Sequence, residues 1–266
     1  MNDRGSAAAS DSALAVEVVE RAAAVAAEQR TLGLETRSKT SLSDVVTNAD
    51  HAAEELVEAL LLAQRPDDGL VGEEGAARAS TSGRTWVVDP VDGTYNFAQG
   101  LDWWCTALAL CEDGADGAVP VLGAVRHEAT ATTYVGGRDV PPTRNGEPLA
   151  ALEDRPLGSS CVATYLHPPY LGTLVGEAFA RVVGRAATLR MLGSGTLDAM
   201  AVAEGRLHLV CQHSVPAWDW LPGAAILTAL GGEVRHVEAA GRTWYLAGVP
   251  TAVAEAAEAL LGLQGP

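Results

Sequence analysis

The chain has 266 residues, with 18 Lys or Arg against 34 Asp or Glu, for a formal net charge of −16. That excess of negative charge repels nucleic acid and anionic membrane surfaces before any specific contact can form, so neither is expected as a partner. No window approaches the roughly 18 consecutive apolar residues of a membrane span, whereas 48% hydrophobic content is enough for a large core, built as one domain or as two packed halves.

Residues 1–10 are small and polar and are expected to be disordered. Asp11 or Ser12 is placed to cap a first long amphipathic helix, DSALAVEVVERAAAVAAEQR, which is rich in helix formers. The polar stretch GLETRSKTSLS (33–43) reads as a loop, and a second helix follows from about Ala49 to Gln64, with Leu56, Leu60 and Ala63 at helical spacing. Gly69–Gly72 leads into Glu73-Glu74, and a polar turn then precedes a strand from Trp86 to Val88 that ends at Asp89. CTALALC (105–111), VPVLGAV (119–125) and TATTYVG (130–136) read as successive antiparallel strands, and Asn145-Gly146 as a tight turn. The second half alternates: strand (159–166), helix (170–184), strand (187–191), helix (194–204), strand (206–211), helix (219–230), a further strand, and a last helix (251–261). This pattern predicts an α+β half over 11–150 beside an α/β half over 151–266.

Cys105, Cys111, Cys161 and Cys211 show no CxxC spacing and are expected to be reduced core or pocket residues of a cytoplasmic protein. Cys211 lies between His208 and His213, but strand alternation sends those imidazoles to opposite faces, which argues against zinc.

Four acidic clusters fall at strand ends or helix starts, each flanked by apolar sequence: Asp50, Glu73 with Glu74, Asp89 with Asp92, and Asp219. Crowded carboxylates repel one another unless something positive sits between them. The chain has a single lysine, Lys39, and no arginine within four residues of Asp89, Asp92 or Asp219. A divalent cation is the better counter-charge, and an all-oxygen donor set selects Mg²⁺ or its relatives. Gly93-Thr94 follows at once, where backbone N–H groups at a helix start meet an anion and glycine lets a phosphate approach. Metal-holding carboxylates beside phosphate-holding N–H groups suit phosphoryl transfer to water. Haloacid-dehalogenase-type phosphatases carry D-x-D-G-T, with a nucleophile and an acid two residues apart. Here the spacing is D-P-V-D, which favours shared metal ligation over that pair.

VGEEG (71–75), WVVDPVDGTYNF (86–97) and WDWLPGAAILTALGG (218–232) together resemble the inositol monophosphatase family of Mg²⁺-dependent, lithium-sensitive phosphomonoesterases. SDVVTNAD (43–50), with Lys39 before it, and RMLGSGTLDAMAVAEGRLHLV (190–210) extend the resemblance. It implies a layered αβαβα sandwich of the sugar-phosphatase type and a homodimer. It also implies two to three Mg²⁺ ions per site. Glu73, Asp89 and the Val91 carbonyl would hold the first, Asp89, Asp92 and Asp219 the second, and Glu73 also a third, weaker ion. Thr94, oriented by Asp50, would relay a proton from a metal-activated water together with Glu73 or Glu74, with Gly93 and Thr94 on the phosphate. Lys39 fits an electrostatic role near the metals.

The leaving group falls to the second half. By resemblance Gly193, Ser194, Gly195 and Gln212 sit beside the substrate, together with Asp92. Members acting on inositol phosphates often carry a carboxylate at the position of Gln212, and histidinol-phosphate enzymes can use one against a cationic amine. A neutral amide still accepts and donates hydrogen bonds. Tyr165, His167 and Tyr170 are candidates for a pocket wall, while His127 and His213 are expected to be structural. The expected activity is hydrolysis of a small polyol or inositol monophosphate. Histidinol phosphate, fructose 1,6-bisphosphate and 3'-phosphoadenosine 5'-phosphate are the alternative substrates, Arg190 being a cation that could meet the last. A metal-binding scaffold is the non-enzymatic alternative.

Overall fold

The computed structural model describes residues 3–38, 45–114 and 117–262. Lys39, with the SLSD that follows it, lies outside the described residues. The first helix, α1 (Asp3–Leu32), takes in most of the segment expected to be disordered, and the alanine run at 7–9, the residue type with the highest helix propensity, is the sequence feature that favours this. Asp11 is therefore inside a helix rather than at its cap. Its carboxylate accepts from Arg65 Nε (2.9 Å) and from Arg84 Nη2 (2.8 Å), joining three segments of chain. The expected loop contributes β1 (Thr36–Ser38), antiparallel to β2 (Val45–Thr47). Thr47 then caps α2 (Asn48–Gln64) in a reciprocal box with Asp50.

An eight-stranded sheet follows, built from β3 (Gly69–Gly72), β4 (Ala77–Arg78), β5 (Arg84–Asp92), β6 (Cys105–Gly114), β7 (Gly117–His127), β8 (Thr132–Gly137), β9 (Val140–Arg144) and β10 (Glu147–Pro148), with the short helix α3 (Thr94–Ala98) after β5. Its order is β10-β9-β8-β7-β6-β5-β3-β4, antiparallel except where β3 runs parallel to β5. The rest of the chain gives β11 (Cys161–Thr164), α4 (Leu174–Val183), β12 (Thr188–Arg190), α5 (Gly195–Ala203), β13 (Leu209–His213), α6 (Ala217–Ala229), β14 (Glu233–Ala239), β15 (Arg242–Gly248) and α7 (Pro250–Leu260). These strands form a five-stranded sheet ordered β12-β11-β13-β15-β14, with β12, β11 and β13 parallel. The helix expected from Tyr170 begins at Leu174, because the backbone is extended at Thr173 (φ −119°, ψ 173°), which separates the tight turn at Pro168–Tyr170 from the helix.

Side-chain alternation sets the layers. Trp86 and Val88 of β5 pack with Leu108 and Leu110 against Leu14, Val18, Val57 and Leu61 of α1 and α2. The opposite face meets α5 and α6, where Leu197, Met200, Ile226 and Leu227 fill the space between Cys105, Ala107 and Val125 of one sheet and Ala163, Val210 and Ala247 of the other. Helices α4 and α7 cover the outer face of the second sheet through Phe179, Val182, Val253 and Leu260. The result is a five-layer α/β/α/β/α sandwich. Among the described residues no helix is long and apolar enough to cross a membrane.

Candidate active site

Strand β5 was expected to stop at Asp89 but continues to Asp92, and the way it continues answers why two aspartates stand three residues apart. In a regular strand that spacing places side chains on opposite faces. Here Asp89 pairs with Ala107 and Asp92 with Cys105, so three steps on β5 match two on β6. The extra residue is a β-bulge at Pro90-Val91, which returns Asp92 to the face of Asp89. Both carboxylates thus look inward, toward α5 and α6.

Partners on those helices fix them. Asp92 Oδ2 accepts the Ser194 hydroxyl (2.8 Å) and the Thr196 N–H (2.6 Å), so a carboxylate closes the N-terminus of α5, where the helix dipole favours negative charge. Asp89 Oδ1 accepts the Val91 N–H at 3.0 Å. Asp219, in the first turn of α6, hydrogen-bonds the Asp89 carboxyl, and Glu73 approaches it from the loop after β3. Burial first, then the charges of Glu73, Asp92 and Asp219, push the Asp89 carboxyl well above the usual carboxylate range. Burial also raises Asp92, against the hydrogen bonds of Ser194 and Thr196.

These residues line one cavity of about 600 Å³. Glu73, Asp89, the Val91 segment, Asp92 and Asp219 stand on one side with Gly93 and Thr94; Gly193, Gly195 and Gln212 border it, and Tyr165, His167, His213 and Trp218 form the far wall. The donor set is hard oxygen throughout, and among the described residues no arginine pairs with Asp89 or Asp92. That chemistry fits a divalent cation of the magnesium class. Among the described residues no three carboxylate, imidazole or thiolate groups are closed around a single point, so the acids form a charge cluster rather than a finished coordination sphere.

Gly93 has φ 93°, a left-handed conformation that turns the chain from β5 into α3, and a Cβ there would lie 3.0 Å from the Trp103 carbonyl. Thr94 Oγ1 donates to the Val91 carbonyl at 2.8 Å and stands 3.3 Å from Asp50 Oδ1. A hydroxyl has one proton, so its two acceptors share it, the Val91 carbonyl at the shorter distance and Asp50 Oδ1 as the alternative. Asp50 is fully buried, accepts the Thr47 hydroxyl at 2.6 Å, and burial pushes its carboxyl up to about 6.

Of the residues expected beside the substrate, Gly193, Gly195 and Gln212 line the cavity, whereas the Ser194 hydroxyl is buried and directed at Asp92. Tyr165 and His167 line it as well. Tyr170 instead packs on His213 (4.9 Å between ring centroids), with the Arg242 guanidinium over its ring. His213, expected to be structural, borders the cavity. Arg190 is exposed and turns back on Thr188 and the Leu189 carbonyl. All four cysteines are free thiols, and burial pushes Cys111 and Cys211 up to about 12.

Two buried side chains escaped the sequence reading. Glu54 accepts the N–H groups of Glu74 (2.9 Å) and Ala76 (2.7 Å), pinning the turn that presents Glu73. It approaches so closely that a Cβ on Gly72 would sit 2.3 Å from its Oε2. Its spacing of four from Asp50 on α2 was the available signal. Asn96 donates to the Trp103 and Leu192 carbonyls (2.9 and 2.8 Å), linking the Gly93-Thr94 turn to the segment entering α5. It lies inside the DGTYNF run, two residues past Thr94.

Comparison with known proteins adds the relationship. A family model described as "Inositol monophosphatase family" matches residues 7–264. The inositol-1-monophosphatase SuhB of Mycobacterium tuberculosis is 33% identical over 213 residues, covering 74% of this chain and 70% of that protein. A histidinol-phosphatase of the same organism is 32% identical over 214 residues, covering 77% and 75%. The crystal structure of the extragenic suppressor protein suhB from Bartonella henselae superposes with a TM-score of 0.83 at 24% identity, over 93% of this chain and 96% of that one.

Proposed function

The chain belongs to the inositol monophosphatase family, a family of phosphoric monoester hydrolases, and from that premise we propose that it hydrolyses a small polyol or inositol monophosphate with Mg²⁺ at the carboxylate cluster. The observation that supports this most is the bulge in β5, which turns Asp89 and Asp92 to one face, toward Asp219 on α6. Glu73, Asp89 and the Val91 carbonyl would hold one ion, Asp89, Asp92 and Asp219 a second, and Glu73 a weaker third. Bound there, the ions supply positive charge to the phosphate and lower the pKa of a water near it.

The remaining steps belong to the chain itself. Asp92 Oδ2 is committed to α5, leaving Oδ1 to reach the site. Gly93 and Thr94 meet the phosphate oxygens. As the Thr94 oxygen takes a proton, its own hydroxyl proton swings from the Val91 carbonyl to Asp50 Oδ1, which receives it, with Glu73 or Glu74 as the flanking base. Transfer to water is direct, with no covalent enzyme intermediate. Half 11–150 supplies the metal and phosphate groups, and half 151–266 reads the leaving alcohol through Gly193, Gly195 and Gln212. Lys39 is proposed to add positive potential. The working form is a cytoplasmic homodimer.

Histidinol phosphate is the second reading, supported by the histidinol-phosphatase relative. Gln212 counts against it, because a neutral amide offers no charge to an amine. Phosphate release from inositol 1-phosphate, histidinol phosphate, fructose 1,6-bisphosphate, glycerol 2-phosphate and 3'-phosphoadenosine 5'-phosphate, with and without EDTA, separates these readings. The expected result is an EDTA-sensitive preference for a polyol or inositol ester. Silence from folded, Mg²⁺-loaded protein on the whole panel would instead favour a metal-binding scaffold.

A further inference from the structure

Gly93 and Gly193 both have left-handed φ, 93° and 92°, and they meet where the two halves of the chain join. A Cβ on Gly93 would stand 3.1 Å from the Gly193 carbonyl oxygen and 3.2 Å from Ser194 Cβ. The turn assigned to the phosphate therefore runs in close contact with the loop assigned to the leaving alcohol, and no side chain of either glycine serves as a spacer. We propose that Asn96 is the positioning residue that fixes this contact, and so sets where the leaving alcohol sits relative to the phosphate; the proposal rests on the phosphatase reading of the cavity.

The orientation of the Asn96 amide follows from its partners. The residue is buried on α3 and borders the catalytic cavity. Its Nδ2 donates one proton to the Trp103 carbonyl at 2.9 Å and the other to the Leu192 carbonyl at 2.8 Å. Carbonyl oxygens only accept, so a flipped amide would lose both bonds and press Oδ1 against two acceptors. Leu192 directly precedes Gly193, and a Cβ on Gly193 would stand 2.8 Å from Nδ2, so the loop packs on the amide itself.

Trp103 closes a ring of ties, because its indole N–H donates to Asp198 of α5 at 3.2 Å while its carbonyl holds Asn96. The bonds from Ser194 and Thr196 to Asp92 Oδ2 anchor the start of α5 to β5, and Asn96 anchors the residue ahead of it to α3. Thr94 stands at the start of the same short helix, two residues from Asn96. A shift of the loop against α3 thus changes the distance between the groups that hold the phosphate and those proposed to hold the alcohol, and an error of about an ångström in such a distance can cost ~10²-fold in rate.

Measuring kcat/KM for inositol 1-phosphate and for phenyl phosphate, in Mg²⁺-loaded unmutated protein and Asn96→Ala, tests this. Phenyl phosphate gives the loop no hydroxyl to hold. The expected loss for the inositol ester exceeds that for the phenyl ester by at least ~10-fold. A cross-link that served only stability would lower both esters alike. Asn96→Ser keeps one donor and should fall between the other two proteins, and it carries the comparison if Asn96→Ala does not fold. An unchanged ratio in a folded variant would overturn the proposal alone, and so would failure of both variants to fold, which would make the amide a support of the fold. No phosphate release from inositol 1-phosphate by the unmutated protein would overturn the reading of the site, and the proposal with it.

Discussion

Individual side chains in this site have roles that substitution can separate. Thr94→Ala removes a hydroxyl held between the Val91 carbonyl and Asp50. It should lower kcat by roughly 10²–10⁴-fold, the range for one acid-base group, while Mg²⁺ affinity by calorimetry stays within about twofold. Equal loss of both would remove Thr94 from proton transfer. Gln212→Glu places a charge on the cavity wall where the leaving alcohol is proposed to bind, and kcat/KM for histidinol phosphate relative to glycerol 2-phosphate should rise ~10-fold, the effect of one charge-assisted hydrogen bond. An unchanged ratio would take Gln212 out of the pocket. Asp198 is a different case, fully buried beneath the site, with Oδ1 accepting the Trp103 indole N–H at 3.2 Å. Burial first, then the charge of Asp92, pushes its carboxyl up to about 8 from 3.8. The native state therefore keeps a proton that the unfolded chain has released, and stability falls as pH rises between those values. Asp198→Asn imitates the protonated acid, so in EDTA its Tm should match or exceed that of the unmutated protein at pH 8.5 and vary less from pH 5 to 8. A variant with the original pH slope would place the titration elsewhere.

At the level of elements, the site depends on small departures from regularity. The bulge in β5 turns both aspartates inward, Gly93 reverses the chain into α3, and Glu54 clamps the turn after β3 from the side of α2. Glu54→Ala frees two partly buried N–H groups, those of Glu74 and Ala76, from a carboxylate. It should cost roughly 1.5–3 kcal/mol by denaturant unfolding, the usual range for hydrogen bonds to a charged group. Because the same turn presents Glu73, Mg²⁺ activation should move to higher concentration as well, and Glu54→Gln, which keeps an acceptor, should restore part of both. Lost stability with unaltered Mg²⁺ activation would make Glu54 purely structural. Helix α6 shows a comparable accommodation: Pro222 lies in its interior, where it cannot donate to the Trp218 carbonyl one turn earlier.

The whole molecule exposes one feature that the single chain does not use. Strand β12 is the edge of the five-stranded sheet, and Leu189 and Met191 at that edge are 37% and 43% exposed. An uncovered edge with apolar side chains invites pairing, and a second copy of this chain is the occupant that the homodimer proposal requires. Sedimentation should give a dimer, and Leu189→Asp with Met191→Asp should give a folded monomer. A monomer before substitution, or a dimer after both, would place the interface elsewhere or remove it.

Much of this was legible in the chain because it is written in local order. The alternation of apolar residues in β5, the helix-period pattern of α2, and the position of the acidic clusters at strand ends and helix starts are properties of neighbouring residues, and the short motifs among them carry the family resemblance. What lay beyond the sequence depends on pairing between distant segments. The bulge exists only in the register of β5 against β6, and without it a regular strand would have put the two aspartates on opposite faces. Whether Ser194 faced substrate or Asp92, and whether Asp11 capped a helix or paired with Arg65 and Arg84, depended on partners up to 102 residues away. Periodicity fixes which face of an element is apolar, but only the packed tertiary structure decides which polar groups meet there, because each buried polar group takes the partner that the other layers bring within reach.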